Sequence, residues 1–273
     1  MIFFPNAKIN IGLQVLSKRD DGFHNISTFI YPIYNFTDIL EIIENNKSET
    51  NIYLSGIKIE GDNSNNLCLK AYNLLKKDYK LPAINIYLHK IIPIGAGLGG
   101  GSSDAAATLT VLNSMFNLNL SNNALIMYAA KLGSDCAFFI NNTPALATSK
   151  GEILENININ INKHIVILMP NINISTASAY SMITPVSNVP ALKNLISHDI
   201  CEWKQLIVND FETPIFCKHP IIRELKNILY DAGAIYAAMS GSGAAVYGIF
   251  NNPQKPSYLP NLQPNVKCYC FPI

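Results

Sequence analysis

Five glycines crowd the run Pro93-Ile94-Gly95-Ala96-Gly97-Leu98-Gly99-Gly100-Gly101-Ser102-Ser103. So much glycine suits a backbone that must come close to a ligand or take positive φ angles. Just downstream, Ser102, Ser103 and Asp104 are N-cap types, and Ala105, Ala106 and Ala107 are strong helix formers. Upstream, Ile84, Ile86 and Leu88 alternate with Asn85 and Tyr87, which predicts a strand. A strand, a glycine loop and a helix start bring free amides and the positive end of a helix dipole to one spot. That combination binds anions, phosphate above all.

Three phosphate-loop templates can be compared with the run. In a P-loop, lysine and Ser/Thr follow the second glycine, but Gly101 stands where the lysine belongs. Gly95 to Gly100 satisfies G-x-G-x-x-G, yet after Asp104 no carboxylate occurs until Asp135, too far on to hold a ribose. The partner motifs of protein kinases are missing. The remaining loop works mostly through backbone amides, with Ser102 and Ser103 hydroxyls at the helix start.

Two other residues could do chemistry. In Ala7–Val15 the apolar residues Ala7, Ile9, Ile11, Leu13 and Val15 share one strand face. Lys8 and Asn10 lie together on the other, the pattern of a half-exposed strand. Asp135 interrupts the apolar segment Leu132–Ile140, where a buried carboxylate needs a partner. It reads equally as a turn or cap aspartate after Gly133 and as a general base. One lysine, one carboxylate and a phosphate cradle suffice for phosphoryl transfer, which needs positioning and charge stabilisation.

The elements that would position these groups are mixed. Asn123–Leu132, Asp199–Val208 and Ile221–Ala232 read as helices; Lys163–Met169, Tyr236–Met239 and Ala244–Phe250 read as strands. No regular βαβ alternation runs through them, which predicts an α+β fold. The uncharged stretch Ala105–Ala130 is broken by polar residues and fits two core helices joined by a turn. The 273 residues, 49% hydrophobic and 14% charged, allow one large or two modest domains with a change near Glu155–Asn162. A net charge of +1 leaves no electrostatic footprint for nucleic acid or membrane. Met1–Pro5 is too short for a signal peptide, and the six scattered cysteines form neither a disulfide framework nor a zinc pattern. A reduced, cytoplasmic protein without a metal cage is expected.

The run Pro93–Ser103 resembles the ATP motif of the GHMP kinases, the superfamily of galactokinase, homoserine kinase and mevalonate kinase. Further blocks resemble the branch that phosphorylates 4-diphosphocytidyl-2-C-methyl-D-erythritol in non-mevalonate isoprenoid synthesis. They are Ala7-Lys8-Ile9-Asn10, Arg19–His24, Gly133-Ser134-Asp135, Asn209–Glu212 and Met239–Gly243. The resemblance implies a two-domain fold, residues 1–155 and 156–273, with ATP and the cytidine diphosphate-linked substrate meeting in the cleft between them and Mg²⁺ accompanying ATP.

It further implies that Lys8 and Asp135 are the catalytic pair and that Pro93, Ile94, Gly95, Ala96, Gly97, Leu98, Gly99, Gly100, Gly101, Ser102 and Ser103 bind the ATP phosphates. Asn10, Phe23, His24, Thr176 and Tyr180 would meet the substrate. Ser240–Gly243 would support the cradle or the substrate, though a hairpin turn explains it as well. The chain departs from the family at Phe23 (usually tyrosine), at Cys136-Ala137 (usually Val-Pro) and at Ser149 (usually glycine). Another small alcohol as acceptor, or a non-catalytic nucleotide-binding role, are the alternatives.

Overall fold

Alternating segments become strands here, and segments rich in Ala and Leu become helices. The computed structural model describes every residue except 47, 48, 60, 188, 260 and 261. The strands are β1 (Ile2–Phe3), β2 (Asn6–Lys18), β3 (His24–Thr37), β4 (Ile39–Glu44), β5 (Asn51–Gly56) and β6 (Ile84–Lys90). They continue as β7 (Ala145–Ser149), β8 (Ile153–Asn156), β9 (His164–Met169), β10 (Tyr236–Met239), β11 (Val246–Phe250) and β12 (Lys267–Pro272). Helices α1 (Leu67–Asp78), α2 (Gly100–Met115), α3 (Asn122–Ala130) and α4 (Ser134–Asn141) fall in the first half. The second half holds α5 (Thr176–Tyr180), α6 (Leu192–Leu195), α7 (Trp203–Leu206), α8 (Glu212–Lys218) and α9 (Pro220–Asp231). Among the described residues the strands form three four-stranded sheets, ordered β1-β4-β6-β5, β2-β3-β7-β8 and β10-β11-β9-β12.

By internal contacts the chain divides into two compact units. The first comprises Met1–Ala7, Phe36–Ile94 and Gly99–Thr143; the second comprises Lys8–Asn35, Gly95–Leu98 and Pro144–Ile273. In the first unit β5 pairs parallel with β6, which demands a crossover, and α1 supplies it. Leu40, Ile42, Ile86 and Leu88 of the sheet share a core with Tyr72 and Leu75 of α1 and Leu109 and Leu112 of α2. Each such side chain contributes about 1.5–3 kcal/mol by leaving water.

The core of the second unit lies around β9, which pairs antiparallel with β11 on one side and β12 on the other. Ile165, Val166, Ile167 and Leu168 are all buried, as in a central strand covered on both faces. Helix α9 buries Ile222, Leu225 and Leu229, one stripe at helical spacing, in the cluster that holds Val246 and Phe250.

Most elements match the sequence reading, and three differ. Strand β2 is buried on both faces, so Lys8, Asn10 and Gln14 are as covered as their apolar neighbours. The helix expected over Asp199–Val208 contracts to Trp203–Leu206, because a turn closes from Glu202 to Asp199 and Ile207 is extended. Helix α2 starts at Gly100, ahead of the serines and Asp104 that were read as caps.

Candidate active site

Within the second unit, Gly95–Leu98 is held by close backbone approach. Gly97 has φ +78, and a Cβ there would lie 2.0 Å from the carbonyl oxygen of Ser240, so no other residue fits. The Ser240 hydroxyl donates to the Gly97 carbonyl at 2.8 Å and accepts the Asn10 amide at 3.2 Å. The Ala245 amide donates to the Ala96 carbonyl at 3.2 Å, and the Lys8 amide to the Leu98 carbonyl at 2.9 Å. Ser240–Gly243 joins β10 to β11 and is therefore a hairpin connection as well as a prop for the loop. Asn209, outside the sequence-derived set, fixes that turn by donating from Nδ2 to the Met239 and Gly241 carbonyls, each at 2.8 Å.

Strand periodicity puts Lys8 and Asn10 on one face, and the structure joins them. Lys8 is 3% exposed, and its Nζ donates to Asn10 Oδ1 at 2.6 Å. Asn10 Nδ2 donates to Thr28 Oγ1 at 3.0 Å, and the Thr28 hydroxyl donates to the Gly12 carbonyl at 2.7 Å. The Tyr247 hydroxyl donates to the Asn10 carbonyl at 2.9 Å. Both ends of Asn10 are thus occupied, which fixes its amide orientation and the direction of the lysine.

Of the four remaining substrate candidates, His24 and Tyr180 meet directly. Their rings stack at 4.9 Å with 16° between planes, and Phe211 meets Tyr180 edge-on at 4.9 Å. Thr176 begins α5, with Oγ1 3.4 Å from Ser242 Oγ. Phe23 stands apart, its ring 58% exposed with Lys150 Nζ 5.0 Å from the centroid. Its amide donates to Asp21 Oδ1 at 3.1 Å, and a hydrogen bond from Arg19 holds the Asp21 carboxyl below the usual range. Lys150 Nζ lies 3.9 Å from Asp21, so the turn carrying Phe23 is braced by charge.

The first unit contains Pro93, Ile94 and the stretch Gly99–Ser103. Gly99, at φ +72, is the N-cap of α2 and makes no side-chain cap, which places Ser102 and Ser103 inside the first turn. The Ser103 amide donates to the Gly99 carbonyl at 2.9 Å. Ser102 stands beside Cys136, whose thiol is pushed up to about 11 by burial, an effect tempered by the serine hydroxyl. Asp135 is half-buried in the first turn of α4, following Gly133. The helix dipole favours a carboxylate there, so the cap reading and a poised base are compatible.

One cluster escaped the sequence reading. Lys90, 2% exposed at the end of β6, bonds through Nζ to Asp38 Oδ2 and, at 2.7 Å, to Asp104 Oδ2. Asp38 and Asp104 are 0% and 1% exposed. Burial opposes the charge on Lys90, but the two carboxylates outweigh it and hold its pKa above the ordinary value. The available signal was Asp104 itself, the lone charge between Ile91 and Ala130.

Among the described residues no group of three or more His, Cys, Asp or Glu is arranged to hold a metal ion, and no helix is long and apolar enough to cross a membrane. The family model "GHMP kinases N terminal domain" matches residues 66–143, and "GHMP kinases C terminal" matches residues 191–257. The 4-diphosphocytidyl-2-C-methyl-D-erythritol kinase of Azobacteroides pseudotrichonymphae is 50% identical over 94% of this chain and 96% of its own length. The enzyme of the same name from Cytophaga hutchinsonii is 47% identical, with 100% of both chains covered. A crystal structure of 4-(cytidine 5'-diphospho)-2C-methyl-D-erythritol kinase superposes with TM-score 0.78 at 27% identity, covering 94% of this chain and 92% of the other. The mevalonate kinase of Methanococcus jannaschii matches at TM-score 0.73 and 16% identity, over 100% and 98% of the chains, which speaks to the fold alone.

Proposed function

From the premise that this chain belongs to the GHMP kinase family, we propose how its residues divide the work of one reaction. The protein is an ATP-dependent kinase of 4-diphosphocytidyl-2-C-methyl-D-erythritol, in the non-mevalonate route to isoprenoid precursors. Near-full-length identity to enzymes of that name carries this conclusion. The acceptor is the 2-hydroxyl of the methylerythritol. Asp135 takes its proton as the oxygen attacks the γ-phosphorus; the bond to the β-phosphate oxygen breaks and ADP leaves. Lys8, fixed by Asn10, orients the hydroxyl and steadies charge on the transferring group.

Amides of the loop Pro93–Ser103 grip the triphosphate, with the start of α2 adding its dipole. Bound together with the nucleotide, Mg²⁺ would neutralise phosphate charge; such ions are held through one or two carboxylates plus the phosphates. Asn10, Phe23, His24, Thr176 and Tyr180 bind the acceptor. The exposed Phe23 ring offers a stacking face for cytosine, which survives the loss of a tyrosine hydroxyl. We assign the N- and C-terminal domains along the sequence to residues 1–155 and 156–273, a division supported by the family matches on either side, although Lys8–Asn35, Gly95–Leu98 and Pro144–Glu155 pack within the second unit. The six free cysteines support a place in the reducing cytoplasm.

Purified protein is expected to convert the cytidylyl substrate and ATP to the 2-phosphate and ADP. Asp135→Asn is expected to lower kcat by on the order of 10²-fold or more while both substrates still bind. Turnover of a different alcohol, with none of the cytidylyl substrate, would overturn the assignment.

A further inference from the structure

The buried cluster on Lys90 has no part in the chemistry above, yet it touches both ends of the glycine loop. Asp38 lies between β3 and β4, and its Oδ1 accepts the amides of Ile91 and Ile92 at 2.5 and 2.9 Å. Those two residues are where the chain leaves β6 for the loop. At the other end, a Cβ on Gly100 would lie 3.2 Å from Lys90 Nζ and 2.9 Å from Ile92 Cγ2. The first turn of α2 therefore rests on the lysine and on the loop's own entry. One turn further, Asp104 Oδ2 bonds the same ammonium. A single cation thus ties the strand exit, the β3–β4 connection and the helix start.

Such a cluster is a costly way to obtain stability alone. Two carboxylates share one ammonium in a dry site, so one of them must lack a countercharge or hold a proton, and Asp104 Oδ1 has no hydrogen-bond partner. Buried ion pairs seldom outperform well-packed apolar side chains. What they supply is a single fixed geometry, and an anion cradle made of backbone amides requires one. A misplacement of even an ångström degrades such a site.

We propose that Lys90, Asp38 and Asp104 are positioning residues that hold the two ends of the glycine loop in the spacing ATP requires. This rests on the reading of Pro93–Ser103 as the triphosphate-binding loop. The clamp acts on nucleotide affinity and leaves the acceptor alcohol and the proton transfer alone.

Steady-state kinetics on the full chain test it, with the cytidylyl substrate and MgATP varied separately. Asp104→Ala is expected to raise KM for ATP about ten-fold or more, with kcat and KM for the alcohol changed by less than about two-fold. Asp104→Asn keeps an oxygen for Lys90 and is expected to restore KM for ATP nearly to the native value. Gly101→Ala probes the loop itself: Gly101 is exposed and its Cβ would meet only Leu67, at 3.8 Å. It too is expected to raise KM for ATP, because the methyl stands where phosphate approaches.

If Asp104→Ala leaves KM for ATP unchanged, or raises both KM values equally, while Gly101→Ala raises it for ATP, the clamp is refuted and the loop reading stands. If Gly101→Ala also leaves it unmoved, the loop reading falls and the proposal with it. Should Asp104→Ala not fold, amide exchange in the native enzyme decides. Adding MgADP is expected to slow exchange at Ile91 and Ile92 together with the start of α2; indifference at Ile91 and Ile92 overturns the proposal.

Discussion

The two halves of the glycine loop are held by opposite means. Gly95–Leu98 is fixed by neutral contacts: the Ser240 hydroxyl on Gly97, the Ala245 amide on Ala96, and a carbonyl so near Gly97 that a methyl has no room. The stretch from Gly99 to Asp104 is fixed by buried charge, through Lys90 and its two carboxylates. Close packing of backbone gives a rigid, pH-indifferent support that tolerates no side chain. An ionic support answers to protonation. The proposed triphosphate-binding role draws on both halves, so the two supports can be tested against each other.

The largest effect is expected on the ionic side. Asp38→Ala removes one partner of a buried ammonium and the acceptor of two amides, and should cost about 3–5 kcal/mol in urea unfolding. A loss under about 1 kcal/mol would show that Lys90 is not confined as described. On the neutral side, Gly97→Ala combines a left-handed φ with overlap on Ser240 and should cost about 3 kcal/mol. An alanine accommodated without loss would erase the contrast.

The pH dependence separates the halves directly. Burial raises the Asp104 carboxyl to about 7; the Lys90 ammonium pulls it down and the Asp38 charge pushes it up. The Cys68 thiol of α1 faces the same cluster, and burial keeps it protonated. A carboxyl that is ordinary in the unfolded chain and raised in the folded one favours folding when protonated. That contribution is complete below about pH 4 and is lost as pH rises through about 7. Native Tm is therefore expected to fall between about pH 5 and pH 8, and Asp104→Asn to flatten that slope. The smallest effect belongs to Ser240→Ala, which removes two hydrogen bonds of one hydroxyl, to the Gly97 carbonyl and from the Asn10 amide, worth about 1 kcal/mol each, and should leave the pH profile unchanged.

The local part of this architecture was legible in the chain. Period-two spacing put Lys8 beside Asn10, and glycine density with a following alanine run located the loop and α2. Periodicity tells which residues share a face but not whether that face is covered, and so β2 read as half-exposed although Lys8 is buried. Asp104 read as a cap because aspartate is common at helix starts. Its partner Lys90 is 14 positions away, and the other partner of Lys90, Asp38, lies 52 positions from that lysine, separations that no local pattern encodes. The props on Gly97 come from a turn 143 residues distant and were invisible for the same reason. Gly133 and Asp135 were legible as a helix entry, whereas the degree of burial there depends on neighbours in space.

Gly100 resting on the Lys90 ammonium has an evolutionary corollary. Any side chain at position 100 needs room first from Ile92 and then from Lys90, and shortening 90 strands two carboxylates in a dry interior. Single substitutions at 38, 90 or 100 are thus closed paths, while joint replacements remain open. Among descendants of this sequence these positions should drift as a linked set, each silent until its companions have moved.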